Sequence, residues 1–169
     1  MIKKKSFFER VKNKIKGIFN KESEKFLKDI SGLIHIGANT GQERNLYEKY
    51  KLEVLWIEPI PSIFNILESN IKQFPKQTAI QALLTDKDNE SYEFNVASNN
   101  GASSSILKLD KHQDIWPDVH YEKTLQLKSS TLDNLISDKQ IDINKYQALI
   151  LDTQGSELLV LEGSTTILN

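Results

Sequence analysis

The 169-residue sequence predicts an α/β fold, an open and mostly parallel sheet with helices on both faces. Three observations point to it. The runs Leu33-Ile34-His35-Ile36, Val54-Leu55-Trp56-Ile57 and Ala148-Leu149-Ile150-Leu151 are short and nearly unbroken in apolar character, as strands buried on both faces are. Helical patterns follow each of them. Turn residues stand where each run stops: Gly37, Glu58-Pro59 and Asp152. With 22 Lys+Arg, 23 Asp+Glu and 38% hydrophobic residues, the composition is that of an ordinary globular domain and excludes collagen-like or disordered classes. No window approaches the roughly 18 to 20 consecutive apolar residues of a membrane-spanning helix. The absence of cysteine removes disulfides, thiolate metal sites and cysteine nucleophiles.

Taken from the start, residues 1–21 carry eight basic side chains against Glu9 alone, a net +7, while the rest of the chain carries 14 basic and 22 acidic residues, a net −8. Phe7, Phe8, Val11, Ile15, Ile18 and Phe19 recur at spacings of three and four, so the segment reads as a basic amphipathic helix. Such a helix serves two purposes: peripheral contact with an anionic membrane, or packing on the domain or a partner. It is not a secretory signal, because lysines interrupt it throughout. The expected location is cytoplasmic, with the inner face of the membrane as the place where such contact would occur.

Residues 22–169 read as one α/β domain. Leu33–Ile36 is the first strand and residues 41–50 the first helix; Val54–Ile57 is the second strand, and Pro61 opens a helix to about Phe74. Ala79–Leu84 is the third strand. An inserted region of about 88–130 follows, because Tyr92–Val96 and Thr124–Leu127 alternate with period two around the polar loop Ser98–Ser105. Ala148–Leu151 is the fourth parallel strand, and Ser156–Leu168 reads as a helix. Four parallel strands are a small core for this architecture, so the chain is expected to be truncated.

Three features fall at the carboxyl ends of strands, where open α/β sheets bind ligands. Gly37-Ala38-Asn39-Thr40-Gly41 is a tight turn, but its G-x-x-x-G spacing fits neither the dinucleotide fingerprint nor the phosphate-binding loop and suits a nucleoside better. Glu58 ends the second strand 21 residues after Gly37, about where an acidic side chain takes up a ribose diol. Asp152-Thr153-Gln154-Gly155-Ser156-Glu157 gathers two carboxylates and an amide at a turn, although Ser156 and Glu157 also suit a helix start.

Taken in order, Ile34–Gln42, Trp56–Pro61, Ser103–Ser105, Thr131–Asp133 and Leu151–Glu157 with Val160–Gly163 resemble the motifs of the FkbM family of S-adenosylmethionine-dependent methyltransferases. The resemblance covers about residues 31 to 168. It implies a Rossmann-like class I methyltransferase fold and O-methylation of a hydroxyl on a sugar, glycan or secondary metabolite, with S-adenosylmethionine as cofactor. It further implies that Gly37, Ala38, Asn39 and Gly41 face the methionine part of the cofactor, that Glu58 holds the ribose, and that Thr85 and Asp86 lie toward the adenine. Asp152 would sit beside the transferring methyl. One departure is His35, which stands where the family usually has an acidic residue; it is counted among the cofactor contacts, with a core histidine satisfied within the strand as the alternative.

Candidates for the base that relieves the acceptor of its proton are Asp152, Glu157, His112 and His120. Acceptor specificity is expected from the inserted region, with Ser104, His112, His120 and Gln154 near the substrate. No dedicated metal motif is present and no metal is expected. A non-catalytic cofactor-binding or interaction domain is the main alternative. Nucleic acid is not an expected partner, since the body offers no basic groove, and a nicotinamide-dependent oxidoreductase would need a different glycine spacing.

Overall fold

The computed structural model describes residues 25–98, 101, 103–106 and 121–169. The basic segment 1–21, His112 and His120 lie outside them. Strand β1 (Gly32–Ile36) leads through helix α1 (Arg44–Lys49) to β2 (Glu53–Ile57), and β2 leads through α2 (Pro61–Ile71) to β3 (Gln77–Ile80). A two-residue strand β4 (Leu83–Leu84) and the long strands β5 (Ser91–Ala97) and β6 (Tyr121–Ser130) follow. Helix α3 (Leu132–Asp138), a 3-10 turn at Ile143–Lys145, strand β7 (Ala148–Leu151) and helix α4 (Glu157–Glu162) come last.

The first sheet has the order β3-β2-β1-β7 with every neighbouring pair parallel. The chain moves outward from β1 to β3 and then returns to the other side of β1, so the strand order reverses between β1 and β7. A crevice at the carboxyl ends of these two strands is the expected ligand site of such a sheet.

Alternation along the strands sends side chains to opposite faces. Leu33, Val54 and Trp56 pack with Tyr47 of α1 and Leu67 and Ile71 of α2 on one face. Ile34, Ile36, Leu55 and Ile57 pack with Leu132, Leu135 and Ile136 of α3 and Val160 of α4 on the other. Each fully buried Leu or Ile contributes about 1.5–3 kcal/mol relative to exposure, so both helical layers are held mainly by apolar burial. The fold is therefore the predicted Rossmann-like α/β arrangement with helices on both faces.

A second sheet has the order β4-β6-β5, with β6 parallel to β4 and antiparallel to β5. Phe94 and Val96 of β5 and Leu83 of β4 pack on Ile60 and Ile63. This seats the second sheet over the beginning of α2, close to Glu58 in the chain.

Several elements differ from the sequence expectation for local reasons. The run Ala79–Leu84 is two strands, not one. Strand β3 follows β2 as far as the Ile57–Ile80 pair, and the Glu58 N–H still reaches the Ile80 carbonyl at 3.2 Å. Pro59 has no N–H to extend the ladder, so Leu83–Leu84 pairs with β6 instead. Helix α1 begins at Arg44, because Gly41 has φ +68° and closes a turn onto the Ala38 carbonyl. Helix α2 ends at Ile71, short of Phe74, which Pro75 biases away from helical conformation.

Helix α4 ends at Glu162 rather than near Leu168, with Gly163 as its C-cap. The Asp133 carboxylate then accepts the N–H groups of Thr166 and Ile167 at 2.8 and 3.1 Å, fixing the chain beyond the helix. Helix α3, absent from the sequence reading, is capped by the Thr131 hydroxyl, which accepts the Asn134 N–H at 3.1 Å.

Candidate active site

At the end of β1 the backbone bends back on itself. The Gly37 and Ala38 N–H groups both donate to the Ile57 carbonyl, at 3.0 and 3.1 Å. Gly37 has φ +80°, and a Cβ there would collide with the Asp152 backbone carbonyl. Glycine is thus required twice, by conformation and by the close approach of β7. On the other side, the Asp152 N–H donates to the Ile36 carbonyl at 2.9 Å. The carboxyl ends of β2, β1 and β7 therefore converge on this turn.

Every backbone N–H from Gly37 to Gly41 has a partner within the protein. Asn39, at φ +46°, donates to Glu58 Oε2 at 2.8 Å; Thr40 donates to Asn39 Oδ1 at 2.8 Å; Gly41 donates to the Ala38 carbonyl at 3.0 Å. A phosphate site at such a turn works through N–H groups left over for the anion. This turn has none to offer. Ala38 is itself buried in the core beneath the turn, so it presents backbone only.

Glu58 is 4% exposed. Its Oε1 accepts the Ile60 N–H at 2.9 Å and its Oε2 the Asn39 N–H. Burial pushes its carboxyl up to about 7, while the two N–H bonds pull it down. A carboxylate has about four acceptor positions, so two remain for donors such as a vicinal diol.

His35 is a correction to the expected cofactor contact. It lies on the α1 and α2 face of β1, 5% exposed, with its ring stacked on Trp56 at 5.0 Å and Nδ1 hydrogen-bonded to the Tyr47 hydroxyl at 3.0 Å. Burial lowers its pKa to about 3, so it is neutral. Leu33 and His35 share a face of β1, and Trp56 and Tyr47 cover it, so the ring is packed inside the core. The same layer continues as Trp56 Nε1 donating to Gln77 Oε1 at 3.2 Å and Gln77 Nε2 donating to the Arg44 carbonyl at 2.9 Å.

The two carboxylates among the four predicted bases separate, His112 and His120 lying outside the described residues. Asp152 is exposed and takes a hydrogen bond from Gln154 Nε2 at 2.6 Å, with Gln154 at φ +56°. Glu157 is committed to its own turn, accepting the Thr153 N–H at 3.1 Å and the Gly155 N–H at 2.9 Å. It holds the loop rather than standing free as a base. Thr85 is fully buried, and its hydroxyl accepts the Lys87 N–H at 3.2 Å and donates to the Lys87 carbonyl at 3.1 Å. Its side chain is thus used by a turn, while Asp86 follows half-buried. Ser104 is 7% exposed, and its Oγ accepts the Ala97 N–H at 2.9 Å, so it too serves the local fold.

Three residues of this region escaped the sequence reading. Glu43 precedes α1, half-buried, with burial and the Asp152 charge raising its carboxyl and Arg44 opposing them. Its signal was an acidic residue two positions after Gly41. Arg44 Nη1 donates to the Gly41 carbonyl at 2.8 Å, and Asn70 Nδ2 donates to the Thr40 carbonyl at 2.8 Å. Asn70 lies 30 residues from its partner and belongs to no motif.

A family model for the methyltransferase FkbM domain matches residues 35–169. The chain belongs to the FkbM methyltransferase family. No curated protein and no solved structure matches the chain. The FkbM domain thus spans β1 from His35 onward and every later element, and both strand-end turns described above lie within it.

Proposed function

We propose that this FkbM domain binds S-adenosylmethionine at the carboxyl ends of β1, β2 and β7 and methylates a hydroxyl of a sugar, glycan or secondary metabolite. The observation that carries the reading is the turn Gly37–Gly41, whose N–H groups are all consumed within the protein, beside a buried Glu58 with acceptor positions to spare. That pairing suits a nucleoside without phosphates. It counts against dinucleotides, whose pyrophosphate needs free N–H donors.

Glu58 would accept the ribose hydroxyls, and the carboxylates of Glu43 and Asp152 favour the positive charge of the methionine end. The cofactor, when bound, supplies an electrophilic methyl group. The protein's part is to align the acceptor oxygen with that methyl and exclude other geometries, which is the larger share of catalysis in an in-line displacement. Asp152, exposed at the end of β7, accepts the proton from the acceptor hydroxyl while Gln154 fixes its orientation.

One observation favours a second reading, cofactor binding without transfer: Glu157 is tied into its turn, leaving Asp152 as the described carboxylate there with a base's exposure. Calorimetric titration with S-adenosylmethionine tests the first step, with Glu58→Ala as control. Saturable binding lost in the mutant supports the site; no binding by the folded chain overturns it. Transfer of labelled methyl to a panel of sugars, abolished by Asp152→Asn with binding intact, separates the enzyme from the second reading.

For residues 1–21 the proposal is peripheral contact with an anionic membrane on its cytoplasmic side, supported by net +7 against −8 for the rest. Among the described residues no helix is long and apolar enough to cross a membrane. Co-sedimentation with phosphatidylserine vesicles at low salt, lost at high salt or on deletion of residues 1–21, is the expected result.

A further inference from the structure

The turn Gly37–Gly41 is fastened to α2 at two points. The α-carbon of Gly41 lies against Leu67, where a Cβ would come within 2.8 Å of Leu67 Cδ1. One helical step away, Asn70 Nδ2 donates to the Thr40 carbonyl at 2.8 Å. The other end of α2 is fastened to Glu58, because the Ile60 N–H just before the helix donates to Glu58 Oε1 at 2.9 Å. Glu58 Oε2 in turn holds the Asn39 N–H at 2.8 Å, next to Thr40.

These contacts close a ring: Glu58, Ile60, helix α2, Asn70, Thr40, Asn39 and back to Glu58. Asn70 thus anchors the Thr40–Gly41 peptide from α2, two peptide planes along the same turn from the one that carries the Asn39 N–H. Asn39 sits at φ +46°, a left-handed conformation that asparagine adopts more readily than other side chains, with its own Oδ1 accepting the Thr40 N–H. Asn70 is the side chain that ties the next residue, Thr40, to α2.

We infer that Asn70 is a positioning residue which, by holding Thr40, keeps the Asn39 N–H on Glu58 and so sets the ionised, diol-accepting state of that carboxylate. The ligand end of this inference rests on the cofactor reading above; the coupling of Asn70 to Glu58 does not. The forces acting on the Glu58 proton are burial, which raises its pKa to about 7, and the Ile60 and Asn39 N–H groups, which oppose it. Removing one of the two N–H bonds lets burial win by more. A hydrogen bond to a charged group corresponds to about one pH unit of such a shift.

The test uses Asn70→Leu, which removes the donor without adding charge, with Asn70→Ala as the alternative should the larger side chain disturb folding. The first measurement follows the Ile60 amide resonance, whose N–H stays on Glu58 Oε1, in the ligand-free 169-residue chain through pH 5 to 9. Its midpoint is expected near that of Glu58 in the unmutated chain and about one unit higher in the variant. An unchanged midpoint overturns the inference whether or not any cofactor binds.

The second measurement is S-adenosylmethionine affinity against pH. If only ionised Glu58 accepts the diol, the variant binds about fivefold more weakly at pH 7, and the gap closes by about pH 9. A loss of affinity constant across pH would mean that Asn70 merely supports the fold, and would also overturn the inference. Absence of binding by the unmutated chain would defeat the cofactor reading alone, with the Ile60 amide titration still deciding the coupling.

Discussion

The turns after β1 and β7 are neighbours at the same end of the sheet, both rich in small and polar residues, yet they are built in opposite ways. The β1 turn has internal bonds from the Thr40 and Gly41 N–H groups, but it is also held from outside: Glu58 from the end of β2, Asn70 from α2 and Arg44 from α1 all bond its backbone. The β7 turn is held from within, by Glu157 accepting N–H groups two and four residues back and by Gln154 reaching Asp152 two residues back. A turn fastened to several elements depends on each of them for where its N–H groups point. The self-held turn leaves the Asp152 carboxylate exposed. Cofactor recognition and proton removal would divide along that line.

The largest effect on this contrast is expected from Gly37→Ala, which forces a side chain at φ +80° into the Asp152 carbonyl. Urea unfolding should show a loss of about 3 kcal/mol, from left-handed strain plus overpacking. A loss under 1 kcal/mol would mean that the two turns are less tightly apposed than described.

Next comes Glu58→Ala, which leaves the Asn39 and Ile60 N–H groups without their partner and should cost about 2 kcal/mol along with cofactor binding. Glu58→Gln isolates the charge. Because Glu58 is raised to about 7 in the fold, its contribution is full below about pH 4.5 and is lost as pH rises through 7. Thermal melts of Glu58→Gln should lack that decline.

Histidine gives the opposite sign. With its pKa lowered to about 3 from 6.5, neutral His35 contributes stability above pH 6.5 that is lost as pH falls, at about 1.4 kcal/mol per unit. His35→Phe should lower stability at neutral pH through loss of the Tyr47 bond, but flatten the acid limb of a denaturation profile. An acid limb of unchanged slope would mean that another group carries it.

Smaller still is Glu157→Gln, expected to cost about 1 kcal/mol by weakening the bonds to Thr153 and Gly155. It should lower methyl transfer less than Asp152→Asn does. A complete loss of transfer in Glu157→Gln, with the fold intact, would return Glu157 to the role of base.

How much of this was legible varies with the range of the interaction involved. The strands β1, β2 and β7 were readable because burial on both faces needs unbroken apolar runs, and the motifs around Gly37, Glu58 and Asp152 because tight turns and acceptors need particular residue types. The break at Pro59 and the end of α2 before Pro75 carried local signals whose consequence, a change of partner sheet for Leu83–Leu84, depended on β6 some 45 residues away. Helix α3 was missed although Thr131 was in view, since a hydroxyl reads as a cap only once the chain after it is known to turn.

His35 shows the limit most clearly. The residue type and place in the motif suggested a cofactor contact, but its face of the strand was settled by Trp56 and Tyr47, brought beside it by the sheet and by α1. Glu157 and Thr85 likewise looked reactive or recognitive and proved to be bound up in their turns.

The sequence by itself determined the fold class, the family and the three strand ends that converge, because apolar periodicity, glycine at forced backbone angles and carboxylates at strand ends are local or short-range demands. The tertiary structure alone decided which polar groups are spent on the fold and which remain for a ligand. Hydrogen-bonding capacity is finite, and whether a given N–H or carboxylate oxygen is already used depends on partners such as Asn70 that sequence distance conceals.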